Sequence, residues 1–186
     1  GLIVEHTDYA TNLHDLIASL NLKIKSRVLE VGPGEGQLLS ELSAKFKNLV
    51  ALDNSQEMLE KCKKTISLTG RKGVEFILGD TSTALNNNIV SDLVIFNMVL
   101  HHIPTPAKMF RDAYSLLSVG GNLLIVDLCR HDQDWVRNSC GDLWLGFEEV
   151  DLNHWAKKAK LVAGQSAYLA LRNGFQIQMR VFRKII

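Results

Sequence analysis

Five short apolar runs, separated for the most part by stretches with helical spacing, constrain this chain more than any other feature. The runs are residues 27–31, 49–53, 74–78, 92–97 and 122–128. Between them lie apolar stripes at three- and four-residue spacing. Leu13, Leu16, Ile17 and Leu20 predict a first helix over 7–20, with Thr7 or Asp8 as cap. Leu38, Leu39, Leu42 and Phe46 predict a second over 36–46. Ser55 caps a third, with Met58, Cys62 and Ile66 as its buried stripe. Thr105-Pro106 opens another, carrying Met109, Phe110, Ala113, Leu116 and Leu117 until Gly120-Gly121 breaks it. Strands alternating with helices mean βαβ units and a mostly parallel sheet. Runs apolar throughout, such as LLIV at 123–126, fit a sheet covered on both faces.

The end of the chain differs. A helix over 148–162 turns Leu152, Trp155 and Ala159 inward. Two alternating runs then flank Asn173-Gly174, the strongest short signal for a type I′ hairpin. The expected fold class is therefore α/β: a doubly wound sheet of five parallel strands followed by a C-terminal antiparallel hairpin, with helices on both faces. A length of 186 residues suits a single domain with a substantial core.

Composition excludes several classes of function. The formal net charge is +1, which gives no basis for a nucleic-acid partner or an anionic membrane. The Lys157-Lys158-Ala-Lys160 segment reads as a solvated helix face. No run approaches the roughly 18 apolar residues of a membrane span. Cys62, Cys129 and Cys140 share no CxxC spacing, which predicts reduced thiols in a cytoplasmic protein and no metal site. The start at Gly1 suggests a processed product or a domain cut from a longer chain.

VLEVGPGEG, at 28–36, places Gly32, Gly34 and Gly36 directly after the first strand. In a doubly wound sheet ligands bind outside the carboxyl ends of the strands, and this turn sits there. A dinucleotide fingerprint needs glycine at position 37, which is Gln. Glu30 adds a carboxylate, which repels a pyrophosphate and attracts an ammonium or sulfonium. Asp53 ends the second strand, where a carboxylate can accept both ribose hydroxyls. Asp80 follows the third, placed to receive an exocyclic amine. Each acid alone reads as a strand-end or cap residue; three at successive strand ends point to one ligand.

Together these segments resemble the class I S-adenosylmethionine-dependent methyltransferases, in particular the small-molecule type that includes the ubiquinone/menaquinone methyltransferases. VLEVGPGEG is similar to that family's first motif, LVALDNSQEML to its second and FILGDT to its third. SDLVIFNMVLHHI and LLSVGGNLLIVD resemble its fourth- and fifth-strand motifs. The resemblance implies a Rossmann-like, seven-stranded sheet with the last strand antiparallel, and S-adenosylmethionine as cofactor, leaving as S-adenosylhomocysteine. It puts Glu30 near the methionine amino group, with Gly32, Gly34 and Gly36 beneath it. Asp53 would hold the ribose, Asn54 and Met58 flank the adenine, and Asp80 with Thr81 meet its amino group. Asn97 and Met98 would present backbone to the methionine part. The implied division is an N-terminal helical segment (1–25), a cofactor-binding core (26–130) and a post-strand-five segment with the hairpin (131–186). Residues 131–147 also resemble methyltransferase-like domains fused behind an arsenic-repressor-type winged helix. That similarity implies a fused or partner winged-helix domain, and leaves room for a homodimer.

Methyl transfer needs a base only where the acceptor loses a proton at attack. Candidates at the strand ends are His101, His102, Asp127, His131 and Asp132; the expectation settles on His102, His131 and Asp132. Trp135, Trp144 and Phe147 form either an acceptor pocket or core. Asn97-Met98-Val99-Leu100 is not Asn-Pro-Pro-Tyr, which argues against amino-group methylation of adenine or glutamine. A small-molecule acceptor is left. The alternative is a non-catalytic sensor of S-adenosylmethionine or S-adenosylhomocysteine serving a transcriptional regulator. A nicotinamide dehydrogenase is disfavoured by the glycine spacing.

Overall fold

The computed structural model describes residues 2–132, 143–171 and 174–186, with side chains from Tyr9 onward. Seven strands form one sheet: β1 (Arg27–Val31), β2 (Asn48–Asp53), β3 (Val74–Leu78), β4 (Ser91–Asn97), β5 (Leu117–Leu128), β6 (Leu161–Ala170) and β7 (Gln176–Lys184). Their order is β3-β2-β1-β4-β5-β7-β6. The first five run parallel, and β7 pairs antiparallel with both β5 and β6. Strand order reverses between β1 and β4, so the carboxyl ends of these two strands flank the crevice where ligands bind such sheets.

Helices α1 (Leu2–Ala18), α2 (Gln37–Leu42) and α3 (Gln56–Ser67) cover one face. Leu13, Leu39, Leu42, Leu59 and Cys62 meet Val28, Ala51, Ile95 and Val126 there. Helices α4 (Thr81–Asn86), α5 (Pro106–Leu116) and α6 (Glu149–Lys158) cover the other, where Ala84, Phe110, Ala113 and Leu152 meet Leu29, Phe96, Ile125 and Phe182. Central strands are buried on both faces, which is why they read as unbroken apolar runs.

Several local expectations shift. The first helix begins at Leu2, so Thr7 and Asp8 lie inside it and not at its start. Ser55 does cap α3, accepting from the Met58 N–H at 3.3 Å. The buried stripe of α3 is Leu59, Cys62 and Ile66; Met58 lies one step round the helix and is half-buried. α4 went unread in the sequence, because its six residues carry little apolar pattern; an Asp80 capping box starts it. β5 begins at Leu117 instead of 122, and Gly120-Gly121 lie within it. Its pairing with β4 jumps from Ser91↔Leu117 to Leu93↔Asn122, and this irregularity absorbs the glycines. The hairpin between β6 and β7 forms, but Asn173 lies outside the described residues. Gly174 N–H donates to the Leu171 carbonyl, and Leu171 N–H to that of Phe175. Gly174 stands at φ +86°; the type I′ turn expected at Asn173-Gly174 lies partly outside the described residues.

Candidate functional site

The carboxyl ends of β1, β2 and β4 bring most of the sequence-predicted residues together. The turn after β1 is tight: Gly32, Gly34 and Gly36 all have positive φ, which L side chains rarely adopt. A Cβ on Gly36 would stand 2.8 Å from Cys62 Sγ, so this glycine lets the turn rest on α3. A Cβ on Gly34 would meet nothing within 4 Å; its outer side is open.

Glu30 lies beneath this turn on the α1–α3 face of the sheet. It is 2% exposed, and its Oε1 has no hydrogen-bond partner among the described residues. Burial without a cation pushes its carboxyl up from 4.5 to about 8. A buried acid left this way is costly unless a ligand completes it. Tyr9 of α1 sits alongside and donates its hydroxyl to Asn97 Oδ1. Burial, then the charges of Glu30 and Asp127, raise the phenol well above its usual range, against the lowering effect of the Asn97 bond. Cys62 closes the same corner from α3; burial first, then Glu30 and Asp53, push its thiol up to about 11. The sequence reading missed Tyr9, although it stands four residues before Leu13 on the same helical stripe.

Asp53 is half-buried at the end of β2, and its Oδ1 accepts the Ser55 N–H at 2.9 Å. Asn54 beside it is exposed. Asp80 is exposed and caps α4: its Oδ1 accepts the Thr83 N–H at 3.1 Å, the main cause that lowers its carboxyl. Thr81 is buried, but its hydroxyl donates to Asp112 at 2.6 Å and so ties α4 to α5. Met98 follows β4 at φ +59°, with its N–H on the Val126 carbonyl at 2.7 Å.

The structure also makes a pairing that the sequence reading did not select. Asp127, wholly buried near the end of β5, accepts His101 Nδ1 at 2.7 Å. His101 is itself buried, in the 3₁₀ turn Leu100–His102 after β4. His102 is exposed, its ring centroid 4.1 Å from that of His101. His131 packs edge-on against Phe175 at 4.7 Å, and Asp132 is exposed. Phe147 belongs to the core under α5 and α6, and half-buried Trp144 stacks on it at 5.6 Å. Trp135 and Cys140 lie outside the described residues, as does most of the 131–147 resemblance. An open groove of about 690 Å³ lies at the opposite, amino ends of β1–β4 and contains none of these residues. Among the described residues no three His, Cys, Asp or Glu side chains are grouped to hold a metal ion. No described helix is long and apolar enough to cross a membrane.

A family profile described as a methyltransferase domain matches residues 22–171, most of the chain. The chain belongs to the class I S-adenosylmethionine-dependent methyltransferases. Among relatives of this family, 2-methyl-6-phytyl-1,4-hydroquinone methyltransferase 2 of Oryza sativa is 28% identical over 138 residues, covering 73% of this chain and 38% of that protein. The chain thus spans well under half of that relative's length. Magnesium protoporphyrin IX methyltransferase of Synechocystis, solved with S-adenosylhomocysteine, superposes at TM-score 0.79 with 16% identity, covering 97% of this chain and 84% of that one. The [4+2]-cyclase SpnF superposes at 0.80 with 15% identity, covering 94% and 81%. These likenesses show the shared methyltransferase fold. The family's cofactor is S-adenosylmethionine. The residues present fit it: an orphaned buried carboxylate for a cation, and an open glycine cradle above it.

Proposed function

We propose that this methyltransferase domain transfers a methyl group from S-adenosylmethionine to a small-molecule acceptor. The observation that carries the reading is Glu30. It is buried, with no cation paired to it among the described residues, beneath a glycine turn that is open at Gly34. In this reading Glu30 receives the methionine ammonium, with Gly32, Gly34 and Gly36 beneath that end. Asp53 accepts the ribose hydroxyls through the lone pairs that Ser55 leaves. Asn54 and Met58 flank the adenine. Asp80 and the backbone at Thr81 meet the exocyclic amine, and Asn97 and Met98 border the methionine part. When bound, S-adenosylmethionine supplies a methyl carbon activated by its sulfonium. The protein's own work is alignment and exclusion of water. Tyr9 contributes to both, because it covers Glu30 and Asn97 from α1. A small acceptor agrees with the near-neutral net charge and with the hydroquinone and porphyrin in the names of the relatives.

Calorimetric titration with S-adenosylhomocysteine, followed by transfer of labelled methyl from S-adenosylmethionine across a metabolite panel, tests the reading. Micromolar binding and reproducible turnover are expected. Binding without turnover would favour the sensor alternative. Absence of binding would overturn the placement of the site.

A further inference from the structure

We propose that Asp112 holds the Lys108 ammonium away from Asp80, and that this pair thereby makes the base end of the cofactor site select an aminopurine over an oxopurine. This rests on the reading above, in which Asp80 accepts the exocyclic amine of adenine, and adds two positioning residues from α5.

Asp80 presents its carboxylate from a tightly bonded turn. Its Oδ1 accepts the Thr83 N–H at 3.1 Å and the Thr83 hydroxyl at 3.3 Å, and its own N–H donates to Thr83 Oγ1 at 3.2 Å. Gly79 makes room for this closure, because a Cβ there would stand 2.2 Å from Thr83 Oγ1. The Gly79 N–H donates to the Asp53 carbonyl at 2.8 Å, which ties the turn to the residue that carries the ribose acid. Both Thr83 bonds fall on Oδ1, so Oδ2 keeps lone pairs for an amine.

A cation stands close by. Lys108, in the first turn of α5, donates from Nζ to Ser82 Oγ at 3.0 Å and to Asp112 Oδ2 at 2.6 Å. Asp112 Oδ2 also accepts the buried Thr81 hydroxyl at 2.6 Å. One acid therefore holds both the lysine and the turn that carries Asp80. The Thr83 N–H is the main cause that lowers the Asp80 carboxyl, and the Lys108 charge lowers it further through space.

The pair is poorly placed as a device for α5 alone. A lysine in the first turn meets the positive end of the helix dipole, and lysine before acid is the weaker order for an i,i+4 pair. The Lys108 side chain is 41% exposed, and ion pairs at such a surface add little stability. What the arrangement adds is a direction for the ammonium. Without Asp112, Lys108 is drawn to Asp80, whose charge it already feels. An ammonium on Asp80 competes with the adenine amine, because both are donors to the same oxygens. It also turns the base end from acceptor to donor, which suits the carbonyl of hypoxanthine. Asp112 thus keeps Asp80 an acceptor.

The test compares S-adenosylhomocysteine with S-inosylhomocysteine, in which a carbonyl replaces the exocyclic amine. Calorimetry reads both affinities in the native chain, Asp112→Asn, Lys108→Met and the double variant. The native chain should prefer the adenine ligand by roughly ten- to a hundred-fold. Asp112→Asn should lower that preference by about two- to fivefold, the strength of an exposed ion pair. Lys108→Met should keep the preference, and its addition to Asp112→Asn should restore it. A purely structural tie between α4 and α5 would suffer alike in all three variants. That pattern overturns the inference, as does an unchanged preference in Asp112→Asn. A second readout needs no ligand. In a ¹³C NMR titration the Asp80 carboxyl should have a lower midpoint in Asp112→Asn than in the native chain, and the double variant should lack that fall. An unmoved midpoint overturns the inference by itself. Equal native affinity for the two ligands would place the adenine away from Asp80 and overturn the inference while leaving the cofactor intact. Failure of the native chain to bind either ligand would count against the proposed function, and the inference would fall with it.

Discussion

Glu30 makes cofactor binding depend on pH. In the empty protein burial holds its carboxyl up to about 8, so near pH 7 roughly nine molecules in ten carry it protonated. An ammonium ligand needs the ionised form. Binding therefore displaces a proton, and affinity strengthens as pH rises towards 8. Each pH unit below that value costs about 1.4 kcal/mol. From pH 5.5 to 7 the dissociation constant of S-adenosylhomocysteine should fall about thirty-fold, close to 2 kcal/mol. Two titratable groups that feel the Glu30 charge are Tyr9 and Cys62. Both stay neutral in this window, because their proton affinities are raised. In Glu30→Gln the pH dependence should disappear. A charge-assisted bond contributes about 1.5–3 kcal/mol, so the variant's deficit at pH 7 is the remainder after ionisation, up to about 1.5 kcal/mol. Calorimetry in two buffers of different ionisation enthalpy reads the proton directly: close to one should be released per ligand. A flat affinity from pH 5.5 to 7, with no buffer dependence, would refute the reasoning. The folded state alone gives a cross-check. A raised carboxyl keeps its proton longer folded than unfolded, so stability should fall as pH rises from 4.5 to 8, and Glu30→Gln should abolish that slope.

The glycine turn should answer differently at two positions. Gly34→Ala meets only the left-handed backbone, so it should cost about 1–2 kcal/mol in denaturant unfolding while narrowing the open side and weakening cofactor binding. Gly36→Ala also collides with Cys62 and should destabilise by more than Gly34→Ala; equal losses would mean that α3 yields. Asp53→Ala should weaken S-adenosylhomocysteine binding by about 1–3 kcal/mol in calorimetry, and unchanged affinity would place the ribose elsewhere. Phe110→Ala, 1% exposed between Phe182 and Trp155, should cost about 3–5 kcal/mol in thermal or denaturant unfolding with cofactor affinity per folded molecule unchanged.

The apolar runs and the stripes between them determine the α/β class by themselves, because a strand buried on both faces and a one-sided helix leave opposite periodicities. The glycine turn and the acids near the ends of β1, β2 and β3 are equally visible: backbone geometry and ligand charge demand particular residue types at particular spacing. Boundaries are less legible. α4 depends on the Asp80 cap more than on an apolar pattern, and β5 takes in a Gly-Gly pair because a β4 irregularity accommodates it.

Which side chains share a corner was decided by the tertiary structure. Tyr9 and Asn97 are 88 residues apart in the chain, and only the docking of α1 over β4 brings them together. His101 and Asp127 are 26 apart, and their bond depends on β4 and β5 ending side by side in register. Of five acid or base candidates at these ends the sequence reading chose His102, His131 and Asp132; the hydrogen-bonded pair His101–Asp127 is visible only in the fold. Periodicity reports which face of an element is apolar; it carries no information about which polar groups from separate elements come within 3 Å. That is settled by strand order and burial, and those arise only when the whole sheet closes.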